Sequence, residues 1–288
     1  MAQREVGDTA AAAQVFRVER GRGQVELASK APRALTQPKL DEVELADVCG
    51  KGEAVGFCLQ VDAAIGGKTG VDFGGLKNSV GLFRMPEAVV ADPAFLATLP
   101  AREVRSGMAE MYKHALIADA AHWVELKSGG GADLLARPDR DALIARSQRI
   151  KEAVVEADPE ERGLREALNF GHSVGHAIES VLLASAAPAL HGEAVAAGMI
   201  CEAYLSEEST GLSAEAVRDI EHVLTAVYGR LSLRADQLAS LLALVANDKK
   251  NRGGATRMSL LSAIGETELG VEVSGEAVVR AVERYLSL

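Results

Sequence analysis

Cysteine is scarce. The 288 residues hold three, Cys49, Cys58 and Cys201, an odd number with no C-x-x-C spacing. This suggests neither a disulfide framework of the small secreted kind nor a cysteine zinc site, and the thiols are expected to be reduced. Long apolar runs are also missing. No window approaches the roughly 18 uninterrupted apolar residues that a membrane span needs, and the opening "MAQREVGDTA" lacks the apolar centre of a signal peptide. A cytoplasmic protein with no membrane partner is expected. Positive charge is in deficit, with 31 Lys and Arg against 41 Asp and Glu and a net charge of −10. That balance argues against a nucleic-acid partner. Yet Lys68, Lys77, Lys249 and Lys250 sit in two local groups, which suits a small anionic ligand.

What is present is enough apolar material, 48% of residues, for two ordinary cores. Residues 1–57 are rich in charge and turn-prone pieces such as "ERGRGQ" and "CGKGE" and show no sustained period, so poor order is expected there. Residues 58–98 include the glycine-rich "LQVDAAIGGKTGVDFGGLKNSVG", which suits loops that approach a ligand. From 99 to 288 the pattern is helical. "LPAREVRSGMAEMYKHALIAD" starts near Pro100 and puts Glu110 and Lys113 three apart on one face. "RDALIARSQRIKEAVVEAD" is a second amphipathic helix that ends before Pro159. Further helices are expected at about 165–184, 191–207, 212–228, 235–246 and 274–287, with a small hairpin from "RMSLLSAI" and "TELGVEV".

"LNFGHSVGHAIES" places His172 and His176 at i and i+4. They could be two metal ligands, one ligand and one substrate contact, or two packed histidines. The protease pattern H-E-x-x-H is excluded, because Ser173, Val174 and Gly175 lie between them and supply no general base. His191 opens another apolar helix, "LHGEAVAAGMI", and Glu110 lies in an apolar stripe where a carboxylate needs a partner. One carboxylate and two imidazoles make a three-ligand site with one position left open, the usual catalytic zinc arrangement. His114, His122, His222 and Trp123 read as structural.

The motifs "VDAAIGGKTGVDFGGLKNSVGLF", "GMAEMYKHALI", "EERGLREALNFGHSVGHAIES" and "LHGEAVAAGM", in this order, closely resemble the 3-dehydroquinate synthase family over residues 59–288. The resemblance implies conversion of 3-deoxy-arabino-heptulosonate 7-phosphate to 3-dehydroquinate and phosphate, with bound NAD and a divalent metal, zinc or cobalt. By matching positions it implies Glu110, His172 and His191 as metal ligands and His176 as a substrate-side contact. It implies Lys68, Lys113 and Lys151 as catalytic groups. Lys77, Asn78, Arg165, Asn169 and one of Lys249 and Lys250 match substrate contacts, and Asp62 with Lys68 and Lys77 matches the cofactor side.

The family normally carries a nucleotide-binding α/β domain of about a hundred residues ahead of these motifs, with a glycine-rich pyrophosphate turn. Its nearest trace here is "EVGDTAAAA", without the glycine triplet, and no nucleotide-binding residue is assigned within 1–57. The expected fold is therefore mainly α, a helical metal- and substrate-binding domain of the dehydroquinate-synthase type with a truncated α/β amino-terminal part. A homodimer or a separate NAD-domain chain is the partner this implies.

Overall fold

Pro100 cannot donate a backbone hydrogen bond, so it stands naturally just outside a helix start. The helix α1 (Ala101–Ala118) begins there. In the computed structural model the described residues are 14–17, 57–73, 76–86, 88–129, 134–183, 185, 188–246 and 256–288. Most of the segment 1–57, together with Lys249 and Lys250, lies outside them.

The chain is mainly helical, as expected. After α1 come α2 (Ala120–Ser128), α3 (Arg140–Ala157), α4 (His172–Leu182), α5 (His191–Ser209), α6 (Ala214–Tyr228), α7 (Ala235–Ala246) and α8 (Gly275–Leu286). α5 is buried on nearly every side from Ala194 to Ser206, and it packs against α1, α4, α6 and α8. Such all-round apolarity marks a helix at the centre of a core. α8 shows the opposite pattern, with Ala277, Val278, Ala281, Val282 and Tyr285 buried along one stripe and Ser274 capping its start.

The strands form three antiparallel pairs. β1 (Gln14–Arg17) pairs with β4 (Ala88–Ala91), and β2 (Lys68–Phe73) with β3 (Leu76–Phe83). β5 (Thr256–Ala263) and β6 (Glu266–Val273) form the expected hairpin, whose Gly265 N–H donates to the Leu116 carbonyl at 2.7 Å. The glycine-rich stretch expected to be loop is thus largely the β2–β3 hairpin, preceded by a π-helical turn at Leu59–Ala63. Of Lys77 and Asn78 the backbone position on β3 is described, and their side chains fall outside the description.

The continuous helix expected at about 165–184 is broken. A 3-10 turn covers Leu164–Asn169, Gly171 adopts φ +77°, and only then does α4 begin. Glu202 of α5 causes the break to hold. Its buried carboxylate accepts from the Gly171 N–H at 2.6 Å and the Val174 N–H at 3.0 Å, satisfying donors that a helix start leaves open. Close approach of the two helices also needs Gly198, where a Cβ would stand 2.0 Å from the Gly171 carbonyl oxygen and 2.6 Å from the Gly175 nitrogen.

Candidate metal and substrate site

Three helices bring one residue each to a common point. Glu110 comes from the middle of α1, His172 from the first position of α4 and His191 from the first position of α5. Glu110 Oε1 lies 3.6 Å from His172 Nε2 and 3.3 Å from His191 Nε2. Two donors about 2.0–2.1 Å from one tetrahedral zinc ion stand roughly 3.3 Å apart, so these separations suit ligands of a shared cation. Glu110 is 1% exposed, and neither of its oxygens has a hydrogen bond of acceptable geometry. The opposite ring nitrogens are tied off: His172 Nδ1 lies 3.1 Å from the Phe170 carbonyl, and His191 Nδ1 lies 3.2 Å from Glu179 Oε2. Because both acceptors require a proton on Nδ1, each Nε2 is left free to bind a metal. The donor set and its orientation fit a divalent cation.

Electrostatics support the same picture. Burial pushes the Glu110 carboxyl up, but Lys113, 2.5 Å from Oε2, and then His172 outweigh it and hold the group well below the usual carboxylate range. Burial and Lys113 lower His172. Burial also opposes charge on His191, yet the Glu110 and Glu179 carboxylates beside it raise its pKa to about 9. A cation in the site would compete with that proton. His176 is exposed on the next turn of α4, its ring centroid 5.1 Å from that of His172 and 5.7 Å from that of His191.

A second cluster surrounds Asp62 on the π-helical turn. Lys113 Nζ donates to Asp62 Oδ2 at 2.9 Å, and Lys151 contacts both the carboxylate and the carbonyl of Asp62. His114 Nε2 lies 3.0 Å from the same Oδ2, and its Nδ1 lies 2.8 Å from Ser147 Oγ. A carboxylate only accepts, so Nε2 carries the His114 proton and Nδ1 accepts from the serine. Burial raises Asp62, but the two lysines overcome it and keep the group well below its ordinary value. The lysines part company. Burial and the neighbouring Lys113 lower Lys151, whereas Asp62 and Glu110 outweigh burial at Lys113 and raise it. His114, read from the sequence as structural, is thus fully buried inside this network.

Further out, Lys68 pairs with Glu161 at 2.5 Å, and Asn169 Nδ2 donates to the other oxygen of Glu161 at 3.4 Å. Arg165 is 1% exposed. It donates to the Gly66 carbonyl at 2.8 Å and the Pro159 carbonyl at 2.9 Å, and its Nε has no partner. Gly66 has φ +104° and a Cβ there would meet the guanidinium at 2.4 Å, so this arginine underpins the Gly66–Gly67 turn. The sequence reasoning missed Glu161, Glu179 and Glu202. Glu161 and Glu179 both lie inside the quoted motif around His172, whereas Glu202 lies outside every quoted motif. Among the described residues no glycine turn from strand to helix of the pyrophosphate-binding kind is present.

Helical packing around Glu110, His172 and His191, with Lys113 and Lys151 buried alongside, gives the chain the fold shared by solved sugar-phosphate cyclases. A 2-epi-5-epi-valiolone synthase from Streptomyces hygroscopicus subsp. jinggangensis, solved with NAD+ and Zn2+ bound, superposes with a TM-score of 0.72 at 27% identity, covering 81% of this chain and 64% of that one. A 2-deoxy-scyllo-inosose synthase, solved with carbaglucose-6-phosphate, NAD+ and Co2+, shares the fold at a TM-score of 0.69 and 24% identity, with 79% and 64% covered. The sequence is more particular. Residues 55–106 match the family profile of the 3-dehydroquinate synthase N-terminal region and residues 107–251 that of the C-terminal region. The chain belongs to the 3-dehydroquinate synthase family. It is 39% identical over 225 residues to the 3-dehydroquinate synthase of Parabacteroides distasonis and 43% identical over 232 residues to that of Pyrobaculum neutrophilum. These alignments take in 78% of this chain, which spans 64% and 65% of the length of those two relatives. No helix among the described residues is long and apolar enough to cross a membrane.

Proposed function

We propose that this chain is the metal- and substrate-binding part of a 3-dehydroquinate synthase active site, a cytoplasmic carbon–oxygen lyase of the shikimate route to aromatic amino acids. Its substrate is 3-deoxy-arabino-heptulosonate 7-phosphate and its products are 3-dehydroquinate and phosphate. The observation that carries this reading is Glu110, buried and ion-paired to Lys113, with Oε1 3.6 and 3.3 Å from two imidazole Nε2 atoms whose rings are already oriented through Nδ1. A divalent cation, zinc or cobalt, held by Glu110, His172 and His191 would polarise a substrate hydroxyl as a Lewis acid.

The side chains around it do the rest. Lys113 and Lys151, kept in place by Asp62, are charge-assisted donors for substrate oxygens, and His176 lies on the substrate side of the imidazole pair. Lys68 and Asn169 both reach Glu161. An anionic group of the substrate that displaced this carboxylate would take over both donors at once. Lys77, Asn78, Arg165 and one of Lys249 and Lys250 are assigned to the substrate by family resemblance, and Arg165 also supports the Gly66 turn. The cofactor-side assignment of Asp62, Lys68 and Lys77, like NAD binding itself, rests on the family and on the NAD-bound relatives. A homodimer or a separate nucleotide-binding chain is the proposed source of the remaining cofactor contacts.

Among the cyclases the dehydroquinate reaction is preferred, because identity to 3-dehydroquinate synthases at 39% and 43% exceeds the 27% to the valiolone synthase. The test is phosphate release from the heptulosonate phosphate by the purified chain loaded with zinc and NAD, beside a His172→Ala control. Release that needs NAD and is lost in the control supports the reading. Zinc bound at one per chain with no release would instead point to a metal-binding module without turnover.

A further inference from the structure

One carboxylate already sits among the donors assigned to the substrate. Glu161 Oε2 lies 2.5 Å from Lys68 Nζ, and its Oε1 accepts from Asn169 Nδ2 at 3.4 Å. Arg165 is 1% exposed, and its Nε lacks a partner. Burial lowers that guanidinium, and Glu161 is the strongest of the carboxylates that oppose the shift. A lysine, an asparagine amide and a buried arginine are donors suited to an anion's oxygens. We propose that Glu161 is a built-in competitor for that anion: its carboxylate holds Lys68 and Asn169, yields both to an anionic group of the substrate on binding, and reclaims them on release. The proposal rests on the substrate reading given above and adds to it a residue that sets how tightly the anion is held.

The backbone is shaped to make this contact. Among the described residues Glu161 alone, glycine aside, has a positive φ, +56°. The left-handed region is unfavourable for a glutamate, which lacks the short polar side chain that lets Asn and Asp bond locally there. Asp158 imposes the turn, accepting from the Arg162 N–H at 2.9 Å, the Gly163 N–H at 2.8 Å and the Arg165 N–H at 3.1 Å. Arg165 closes it by donating to the Pro159 carbonyl at 2.9 Å. With the backbone held, exchange needs only rotation of the Glu161 side chain, which is 21% exposed beside a Lys68 side chain 46% exposed. An ion pair this open to water is weak. A phosphate monoester carries roughly −1.5 to −2 charges at pH 7 and three acceptor oxygens, against one charge and two oxygens on the carboxylate, so it wins the donors. Because Glu161 has to leave first, the observed affinity is the intrinsic one reduced to the fraction of chains with Glu161 turned away.

The experiment is a calorimetric titration of inorganic phosphate into the purified chain, for the wild type, Glu161→Gln, Glu161→Gly and Lys68→Ala. Both Glu161 variants should bind phosphate about two- to fivefold more tightly, the shift that releasing a partly exposed ion pair implies. Glycine adopts a positive φ without strain, so Glu161→Gly should also melt no lower than the wild type. Lys68→Ala should lose most of the binding. A glutamate that only shaped the loop, or that itself held the substrate, would give weaker binding on removal. Equal or weaker phosphate binding in both Glu161 variants, with Lys68→Ala still impaired, would overturn the competitor and leave the anion site standing. Phosphate bound by none of the four, or bound regardless of Lys68, would overturn the anion site along with it.

Discussion

Gly198→Ala tests whether the site depends on the close contact of α4 and α5. The added methyl would sit 2.0 Å from the Gly171 carbonyl oxygen, 2.6 Å from the Gly175 nitrogen and 2.9 Å from the Gly175 Cα, all backbone atoms that no rotamer change can clear. Restoring ordinary contact demands that the helices part by roughly 1 Å or more. Overpacking of this kind costs about 1–3 kcal/mol. At about 2–4 °C per kcal/mol for a chain of this order of size, Tm should fall by about 2–12 °C. The local effect is sharper, because Gly171 immediately precedes His172, the proposed metal ligand, and such a ligand tolerates about 0.5 Å of displacement. Zinc affinity should therefore drop about tenfold or more, the scale seen when ligand support is lost. The assays are thermal unfolding followed by circular dichroism and competitive zinc titration against a chelating dye. Gly275→Ala at the start of α8 is the control: a Cβ there meets nothing within 4 Å, and the change should be neutral or stabilise by up to about 1 kcal/mol. If Gly198→Ala melts with the control and binds zinc as the wild type does, the reasoning about helix contact is wrong.

Other perturbations have defined outcomes. Asp62→Asn removes the shared partner of two buried lysines, and should lower stability by about 3 kcal/mol, read as a shift in urea midpoint at constant slope. Glu202→Gln turns one of two acceptors at the start of α4 into a donor facing an N–H. A loss of about 1–3 kcal/mol is expected, with faster amide exchange at Gly171 or Val174 and unchanged exchange in α8. Glu152 is raised to about 7 by burial and by Glu156 one turn on along α3, against Arg149. A carboxyl held protonated in the folded chain favours folding below its unfolded value near 4.5, and the benefit is lost as pH rises through 7. Stability should fall across that window, and Glu152→Gln should flatten the slope.

The helices and the residues gathered around Glu110 were legible because each is written locally. Periodicity and Pro100 marked α1, and the histidine and glutamate motifs carried their own spacing. What was not legible depends on residues far apart in sequence. The Arg165 guanidinium matches a substrate contact by family position, and nothing near it in sequence shows that Gly66, 99 positions away, supplies a carbonyl for it. Lys151 and Asp62 are separated by 89 positions, and neither segment signals the other. The break before α4 escaped notice for the same reason: the sequence around Gly171 continues an apolar helical pattern, and the carboxylate that holds the turn belongs to α5. His114 passed as a core histidine because its partners, Asp62 and Ser147, come from a turn and a third helix.

Anomalous diffraction from crystals grown with zinc, collected on both sides of the zinc edge, tests the central claim most directly. One strong peak bounded by Glu110, His172 and His191 is the predicted result, absent from crystals of Glu110→Gln. Zinc bound at some other set of side chains, with Glu110 and the two imidazoles left as they are, would contradict it.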